Sequence, residues 1–441
     1  MYQVDPSPGM NSFFPPVGRD AVSEITSYLS KISLKTLCEV SKPLHNLITQ
    51  DTFHNVRSLA GVNTISNDLI RRYQDRVKVS QKNPTFEQAA VECVKKKALL
   101  QRDAREEKLS HVELADCTLT QELIDALKAS GSDIKSLSFT KVNVPAGQQD
   151  AFAAVLSSMP NLESLTISES NCNEVLDCSA MPRLAKLHIR ECSLLQHSPI
   201  LPKGNVFKEL DMSGCSALES PPDLTDVTGL EELHLSSCTT LTAAPVIPEG
   251  SGLKELHMEG CSALINPPDL RNAMRLEKLT LWGCTRLTAA PVIPPGSPLK
   301  VLSMGNCIGL LNPPDLTNAA GVEALNLSNC TALTAAPVIP PRSPLKTLLM
   351  TNCTGLVNPP DLTNALVLEI VDLSGCTVLI ASPVIPPGSQ LKTLLMKHCF
   401  QLTTPPNIAN AAQLRILNLS GCVLLETIPL VPLGSLLRII V

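Results

Sequence analysis

Eleven cysteines stand 23 residues apart, at Cys192, Cys215, Cys238, Cys261, Cys284, Cys307, Cys330, Cys353, Cys376, Cys399 and Cys422. A thiol can act as nucleophile, metal ligand or half of a disulfide. Nucleophilic use needs a neighbouring cation or base to lower the thiol pKa, and no such residue recurs beside these positions. A zinc site needs paired cysteines, and no Cys-x-x-Cys occurs. The other five, Cys38, Cys93, Cys117, Cys172 and Cys178, show no pairing pattern. The ladder therefore reads as structural, and a thiol-rich chain of this kind is expected in a reducing compartment. Ser-x-x-Lys recurs at Ser251, Ser297, Ser343 and Ser389, but a nucleophile copied four times along a chain is packing. His-Glu-x-x-His, a Walker-type glycine loop, Gly-x-Ser-x-Gly and a Ser/His/Asp set are absent from the sequence. Enzyme chemistry, a metal and a cofactor are not expected. The one cluster with chemical potential is His234 and His257, set 23 residues apart beside Glu232, Glu255 and Glu259. Imidazoles among carboxylates would hold a metal or report pH. The plainer reading is solvated His–Glu neighbours.

Each cysteine closes the same phrase, as in Leu276-Glu-Lys-Leu279-Thr-Leu281-Trp-Gly-Cys284-Thr-Arg-Leu287. This pattern resembles the leucine-rich-repeat signature, with Cys where Asn is commoner. Leu279 and Leu281 alternate at strand periodicity, so both point inward and the residues between them face out. Identical strands stacked in parallel bury one apolar side against their neighbours and build a solenoid. The Cys falls where the strand leaves the sheet. A small thiol there can be buried and can serve backbone groups that the bend leaves unpaired.

A second period overlies the first. Pro-Pro-Asp-Leu begins at Pro221, Pro267, Pro313 and Pro359, and Ala-Pro-Val-Ile-Pro at Ala244, Ala290 and Ala336, each set 46 residues apart. With so much proline in so short a repeat, the return path should be extended or polyproline-like. Earlier phrases at Leu109, Ile134 and Leu162 lie further apart, and their returns hold helical patterns at Thr120–Ser130 and Gly147–Ser158. That makes fourteen full repeats from Leu109, with a fifteenth, Leu437-Arg-Ile439-Ile-Val441, ending inside its strand. A bare apolar strand at the end exposes an edge, so a truncated chain with a further C-terminal domain is expected. The fold class is α/β: a leucine-rich-repeat solenoid over residues 109–441, its parallel sheet on the concave face, behind an N-terminal helical domain.

The phrase also assigns the outward residues of the concave face. Candidates for holding a protein target are His188, Arg190, Asp211, Glu232, His234, Glu255, His257, Glu259, Trp282, Leu349 and Leu395. The face changes along its length from charged and His-rich to small, polar and apolar, with the only Trp at the junction. An exposed Trp is the residue type that dominates interface energy; the alternative has Trp282 packing on its neighbours toward Arg190 and binding nothing.

Residues 1–12 read as disordered, 13–60 as three short helices and 61–108 as a charged helical linker or cap. In the second segment Ile25, Ser27-Tyr28-Leu29, Ser33-Leu34, Val40-Ser41-Lys42 and Leu47-Ile48 stand in the order and at the distances of an F-box, which the segment resembles. Val17-Gly18 departs from the Leu-Pro expected there, a pair that belongs to the family's adaptor contact, and Leu44 stands where a Trp is expected. The resemblance implies docking on a Skp-type adaptor through Val17, Ile25, Tyr28, Leu29, Leu34, Leu37 and Val40. An F-box followed by leucine-rich repeats implies a substrate receptor of a cullin–RING ubiquitin ligase. Such a receptor tethers its target and raises the target's effective concentration near the transferred ubiquitin. Two readings stand beside it. One is a recognition scaffold whose helical segment only caps the array; the other is an effector ubiquitin ligase whose catalytic domain lies outside this chain. Leu-Ser-Gly-Cys phrases resemble plant immune-receptor repeats, and the Pro-Val-Ile-Pro-Pro-Gly returns resemble those of secreted bacterial effectors.

Of the 441 residues 44% are hydrophobic but only 3% aromatic, with 36 Pro and 16 Cys, which suits a thin repetitive core better than a compact enzyme. A net charge of -5 gives no reason to expect nucleic acid. No stretch is long and apolar enough to suggest a membrane span, and residues 1–16 lack the pattern of a secretory signal. A cytoplasmic site of action is expected, the host cytosol if the protein is a secreted effector.

Overall fold

A computed structural model describes residues 76–80, 111–173, 175–429 and 437–441. The F-box-like segment, with Val17, Ile25, Tyr28, Leu29, Leu34, Leu37 and Val40, lies outside them, as does most of the 61–108 linker. The chain divides into two compact units, Met1–Val155 and Leu156–Val441.

In the first unit β1 (Arg76–Ser80), β2 (His111–Ala115) and β3 (Ser136–Thr140) pair in parallel, Val77 against Val112 and Val112 against Leu137. The strand β1 corrects the helical reading of 61–108 at those five residues. Arg-Val-Lys-Val-Ser alternates at strand periodicity, and β2 supplies the partner that satisfies its backbone. The return after β2 is α1 (Gln121–Ser130), capped by the Thr120 hydroxyl, which accepts from the Leu123 amide at 3.3 Å. After β3 comes a single 3₁₀ turn and then α2 (Gln149–Ser157). Phe139 of β3 meets Phe152 of α2 edge-to-face, ring centroids 5.0 Å apart.

The second unit is a parallel ladder in which each strand pairs with the next in sequence. Its strands are β4 (Ser164–Ser168), β5 (Lys186–Arg190), β6 (Glu209–Asp211), β7 (Glu232–His234), β8 (Glu255–His257), β9 (Lys278–Thr280), β10 (Val301–Ser303), β11 (Ala324–Asn326), β12 (Thr347–Leu349), β13 (Ile370–Asp372), β14 (Thr393–Leu395), β15 (Ile416–Asn418) and β16 (Arg438–Ile440). From β5 to β15 the register steps by one 23-residue repeat, for example Leu256 against Leu279 and Leu279 against Leu302. Strands β2 to β15 fall on the fourteen phrases, and β16 on the incomplete fifteenth. The two inward apolar positions of each phrase are sealed: Leu279 and Leu281, like Leu302 and Met304, are 0% exposed. From Cys192 onward the returns of the described residues contain no helix, as the proline content requires.

Each strand leaves the ladder through a residue at positive φ immediately before the Cys position. Gly214, Gly260, Gly283, Gly375 and Gly421 hold this place with φ from 72° to 78°, and Asn306, Asn329 and Asn352 with φ from 58° to 61°. Gly and Asn adopt the left-handed region at least cost. Ser237, Glu191 and His398 occupy it too, at 61°, 54° and 54°.

The bend also shows why cysteine follows. The Cys284 Sγ donates to the Met258 carbonyl at 3.2 Å, Cys307 to Leu281 at 3.2 Å and Cys330 to Met304 at 3.2 Å, always to the strand before. The thiol thus ties each bend to the preceding repeat while filling an apolar site. The 46-residue period has its own physical unit. Asn272, Asn318, Asn364 and Asn410 each donate a side-chain amide to the carbonyl of Ile247, Ile293, Ile339 and Ile385, at 3.0 to 3.1 Å. Two successive repeats are thereby stapled across their returns.

Candidate recognition face

The outward side of strands β5 to β9 gathers most of the charged candidates, and it does so through the 23-residue register. Side chains at one phrase position on adjacent strands stand as close as strands do, roughly 4.8 Å. On β5 and β6 the Lys186 ammonium meets Glu209 at 2.6 Å and His188 Nε2 meets the other Glu209 oxygen at 2.8 Å. Arg190 Nε donates to Asp211 at 2.5 Å. Burial would raise the Glu209 and Asp211 pKa values. Hydrogen bonds from Lys186 and His188 to Glu209, and from Ser213 and Arg190 to Asp211, outweigh it and leave both lowered.

The centre lies on β7 to β9. His234 and His257 stack, ring centroids 4.4 Å apart and planes 10° from parallel. His257 is 9% exposed. Its Nε2 meets Glu255 at 2.9 Å, while its Nδ1 faces Glu259 at 3.4 Å and the Thr280 hydroxyl at 3.2 Å. The Ser236 hydroxyl donates to Glu259 as well. The Glu259 bond lifts the His257 pKa above its ordinary value against the pull of burial. Burial would raise Glu259, but the bonds from His257, Ser236 and Thr280 overcome it and hold the carboxyl at about 2. Lys278 reaches Glu255 at 3.4 Å, and His234 Nε2 stands 3.7 Å from Glu232. Glu232, on the exposed side of the cluster, is the least enclosed of these acids.

Of these His–Glu neighbours only His257 is buried; His234, Glu255 and Glu259 are half-buried and Glu232 is exposed, so the solvated reading is corrected at His257 alone. Asp211, His257 and Thr280, predicted to face out, are buried; Arg190 lies against Asp211, His234 stacks on His257 and the Thr280 hydroxyl meets His257. Among the described residues no group of three or more His, Cys, Asp or Glu is placed to hold a metal ion. What the cluster does have is order: hydrogen bonds link Ser236, Glu255, His257, Glu259, Lys278 and Thr280 into one set of fixed charges.

Trp282 lies beside β9 and is 45% exposed. Its indole lies over Gly305, on the side away from Arg190: a Cβ placed on Gly305 would stand 2.7 Å from Trp282 Cδ1. The contact seen for the ring is thus with the β10 side of the ladder. Leu349 on β12 and Leu395 on β14 are partly exposed outward residues, well along the ladder from the charged cluster. Sequence reasoning left Lys186, Glu209, Ser236, Lys278 and Thr280 out of the candidate site. The available signal was the register itself, which sets Lys186 opposite Glu209 and Glu255 opposite Lys278.

The other chemistry-bearing residues are absorbed by the fold. Ser251, Ser297, Ser343 and Ser389 are buried, and each hydroxyl accepts from the amide two residues on, at 3.2 to 3.4 Å. The cysteines from Cys192 to Cys422 are buried and free, and burial pushes the Cys215, Cys261 and Cys307 thiols up to about 12. A thiol so protonated is a poor nucleophile.

No family model matches this chain, and no curated protein matches it. Solved structures do. TLR13, solved in complex with ssRNA13, is similar at 16% identity and a TM-score of 0.44, over 75% of this chain and 52% of that one. The chain thus spans about half the length of TLR13 as solved. A Leptospira interrogans leucine-rich-repeat protein is similar at 15% identity and TM-score 0.45, over 85% and 92% of the two chains. The leucine-rich-repeat domain of the type III effector XopL is similar at 16% identity and TM-score 0.36, over 77% and 98%. The chain's own parallel register and inward leucines decide the fold. The second unit is a leucine-rich-repeat solenoid. In this solenoid the interlocked charges occupy strands β5 to β9, Trp282 marks their end, and β10 to β12 carry small, polar or apolar outward residues, with isolated charges returning only at Asp372 and Arg438 among the described strands.

Proposed function

We propose that the protein is a recognition scaffold that holds a protein target on the outward face of its repeat ladder. The observation that carries this reading is the interlocked set Glu255–His257–Glu259–Thr280 with Trp282 beside it. Preorganised charges beside a half-exposed aromatic provide both halves of a specific protein interface, orientation from the charges and energy from the ring. Within this reading the protein is the substrate-recognition subunit of an SCF-type ubiquitin ligase. Residues 13–60 dock on a Skp-type adaptor, and the chain itself performs no bond chemistry. The support for that finer role is the F-box-like order of Ile25, Ser27-Tyr28-Leu29, Val40-Ser41-Lys42 and Leu47-Ile48. The buried free thiols suit a reducing site of action such as the cytosol.

Co-purification of the full chain with a Skp-type adaptor tests the finer role, against a Leu29→Asp/Leu34→Asp variant. A complex formed by the native chain and lost in the variant is the expected result. Absence of any complex, where an established F-box protein binds the same adaptor, would reduce residues 13–60 to a cap and leave a recognition scaffold without ligase attachment.

A further inference from the structure

A second surface row lies on the returns, eight residues after each Cys position. Read along the solenoid it runs Ile200, Asp223, Val246, Asp269, Val292, Asp315, Val338, Asp361, Val384, Asn407. The aliphatic members are left to solvent to a degree unusual for their type: Ile200 51%, Val246 79%, Val292 81%, Val338 80% and Val384 76%. The next residue in each return, such as Ile247 or Ile293, is buried, so the core is already filled and the exposed side chains are surplus to it. Repeats stand roughly 4.8 Å apart at the ladder, and the Asn272-type amides keep successive returns in hydrogen-bond contact as well, so successive aliphatics of the row stand at least on the order of 10 Å apart, two strand spacings, with a carboxylate between each pair.

The carboxylates are fixed and ionised. Asp223, Asp315 and Asp361 each accept from the amide and hydroxyl of the Thr two residues on, at 2.6 to 3.0 Å. These bonds hold their pKa values below the usual carboxylate range. Among the described residues no Lys or Arg forms an ion pair with these three; Asp269 alone has one, with Arg271 at 2.6 Å. A second copy of this chain is a poor occupant. Any register that sets valine on valine sets aspartate on aspartate, and any other sets valine on aspartate.

The complementary pattern is an extended chain carrying cations between aliphatic or prolyl residues. A polyproline II segment repeats its face every three residues, about 9.3 Å, close to the two-repeat spacing of the row. We propose that this row is a docking track for an extended, Pro-containing basic segment of a partner protein, separate from the outward face of the ladder. Lys or Arg of that segment meets the Asp positions and its aliphatic or prolyl groups lie on the valines.

The probe is a synthetic peptide of six Lys-Pro-Val repeats, titrated against the full chain, with a Glu-Pro-Val peptide as counterpart. Expected is micromolar binding that weakens as salt rises, with no binding of the Glu form. Asp315→Asn/Asp361→Asn removes charge only, because Asn407 at the same position already holds its turn by accepting from the Ala409 amide at 3.0 Å. That variant should bind at least tenfold more weakly, and Val292→Ser/Val338→Ser should do the same without loss of fold. Equal affinity for the two peptides, native affinity in both variants, or no binding at millimolar peptide would overturn the proposal. Adaptor binding by residues 13–60 is read in a separate assay, so failure of either reading leaves the other standing.

Discussion

Strands β7 to β9 present Glu232, His234, Glu255, His257, Lys278 and Thr280 to the outside. Strands β10 to β12 present Val301, Ser303, Ala324, Asn326, Thr347 and Leu349 at the same phrase positions. Beneath both runs the interior is one design: Leu233, Leu256, Leu279, Leu302, Leu325 and Leu348 are all 0 to 1% exposed, and every bend is tied by a Cys to the strand before. The difference teaches that the core and the surface chemistry sit on separate positions of the repeat. The inward residues can be copied without change, while the outward ones diverge strand by strand.

If that separation holds, truncating the interior should cost the same in either run. Leu256→Ala under the charged strands and Leu348→Ala under the neutral ones should each destabilise by about 2–5 kcal/mol, as buried leucines do. Because repeats interact with their nearest neighbours, the loss should be read as amide-exchange protection in the mutated strand and the two beside it. Costs that differ by more than a factor of two would break the claim of a common interior.

The second effect should appear on one side only. Glu259, with its pKa depressed to about 2, contributes stability above the unfolded value of about 4.3, and that contribution is lost as pH falls toward 2. His257 has a raised pKa. Its contribution is fully present below about 6.5 and is lost as pH rises through the raised folded value. Protection of β7 to β9, corrected for intrinsic exchange, should therefore be greatest in mildly acidic solution and fall on both sides. Strands β10 to β12 have no titratable outward residue at these positions and should stay flat. Glu259→Gln should flatten the acid limb, and an unchanged limb would mean that another group drives it.

Much of the comparison is legible in the sequence. The phrase gives strand positions, register and inward residues together, because a 23-residue spacing without slips permits only one stacking. The Thr120 cap announced α1 in the same way. Three things were not legible. The strand β1 lacks the leucine phrase and sits in a charged run, so only the partner strand reveals it. The burial of Asp211 and His257 depends on how far neighbouring side chains reach across strands, and the periodicity of one strand does not contain that. The residues stapling returns in pairs, Asn272 and its equivalents, carry no mark in the sequence, because their acceptor carbonyls lie 25 residues away in the chain.

A smaller effect tests the bends that both runs share. Ser237 holds the left-handed conformation that Gly260 and Gly283 hold in the next two repeats. A non-glycine residue there costs roughly 1–2 kcal/mol, partly returned by the entropy that glycine loses on folding. Ser237→Gly should therefore stabilise by about 0.5–1 kcal/mol, read as increased protection of β7 and β8. No such gain is expected at Asn306→Gly, because Asn adopts this region more readily.

The smallest effect lies at the boundary itself. Trp282 is the only tryptophan of the chain, so its fluorescence reports one place, the edge of the charged run. Gly305 has no positive φ to demand glycine, and its lack of a side chain matters because the indole lies over it. A Cβ there would stand 2.7 Å from Cδ1 and 2.9 Å from Nε1 of Trp282, so Gly305→Ala must push the ring outward. Alanine restricts the unfolded backbone more than glycine does, which offsets the lost contact. The net stability change should stay within about 0.5 kcal/mol, like that of other surface substitutions. The emission maximum should shift to the red as the indole enters water. A red shift at unchanged stability would show that Trp282 is held by the first strand of the neutral run, which makes the aromatic anchor dependent on both halves of the face. Unchanged emission would place the ring elsewhere and return Trp282 to the charged strands alone.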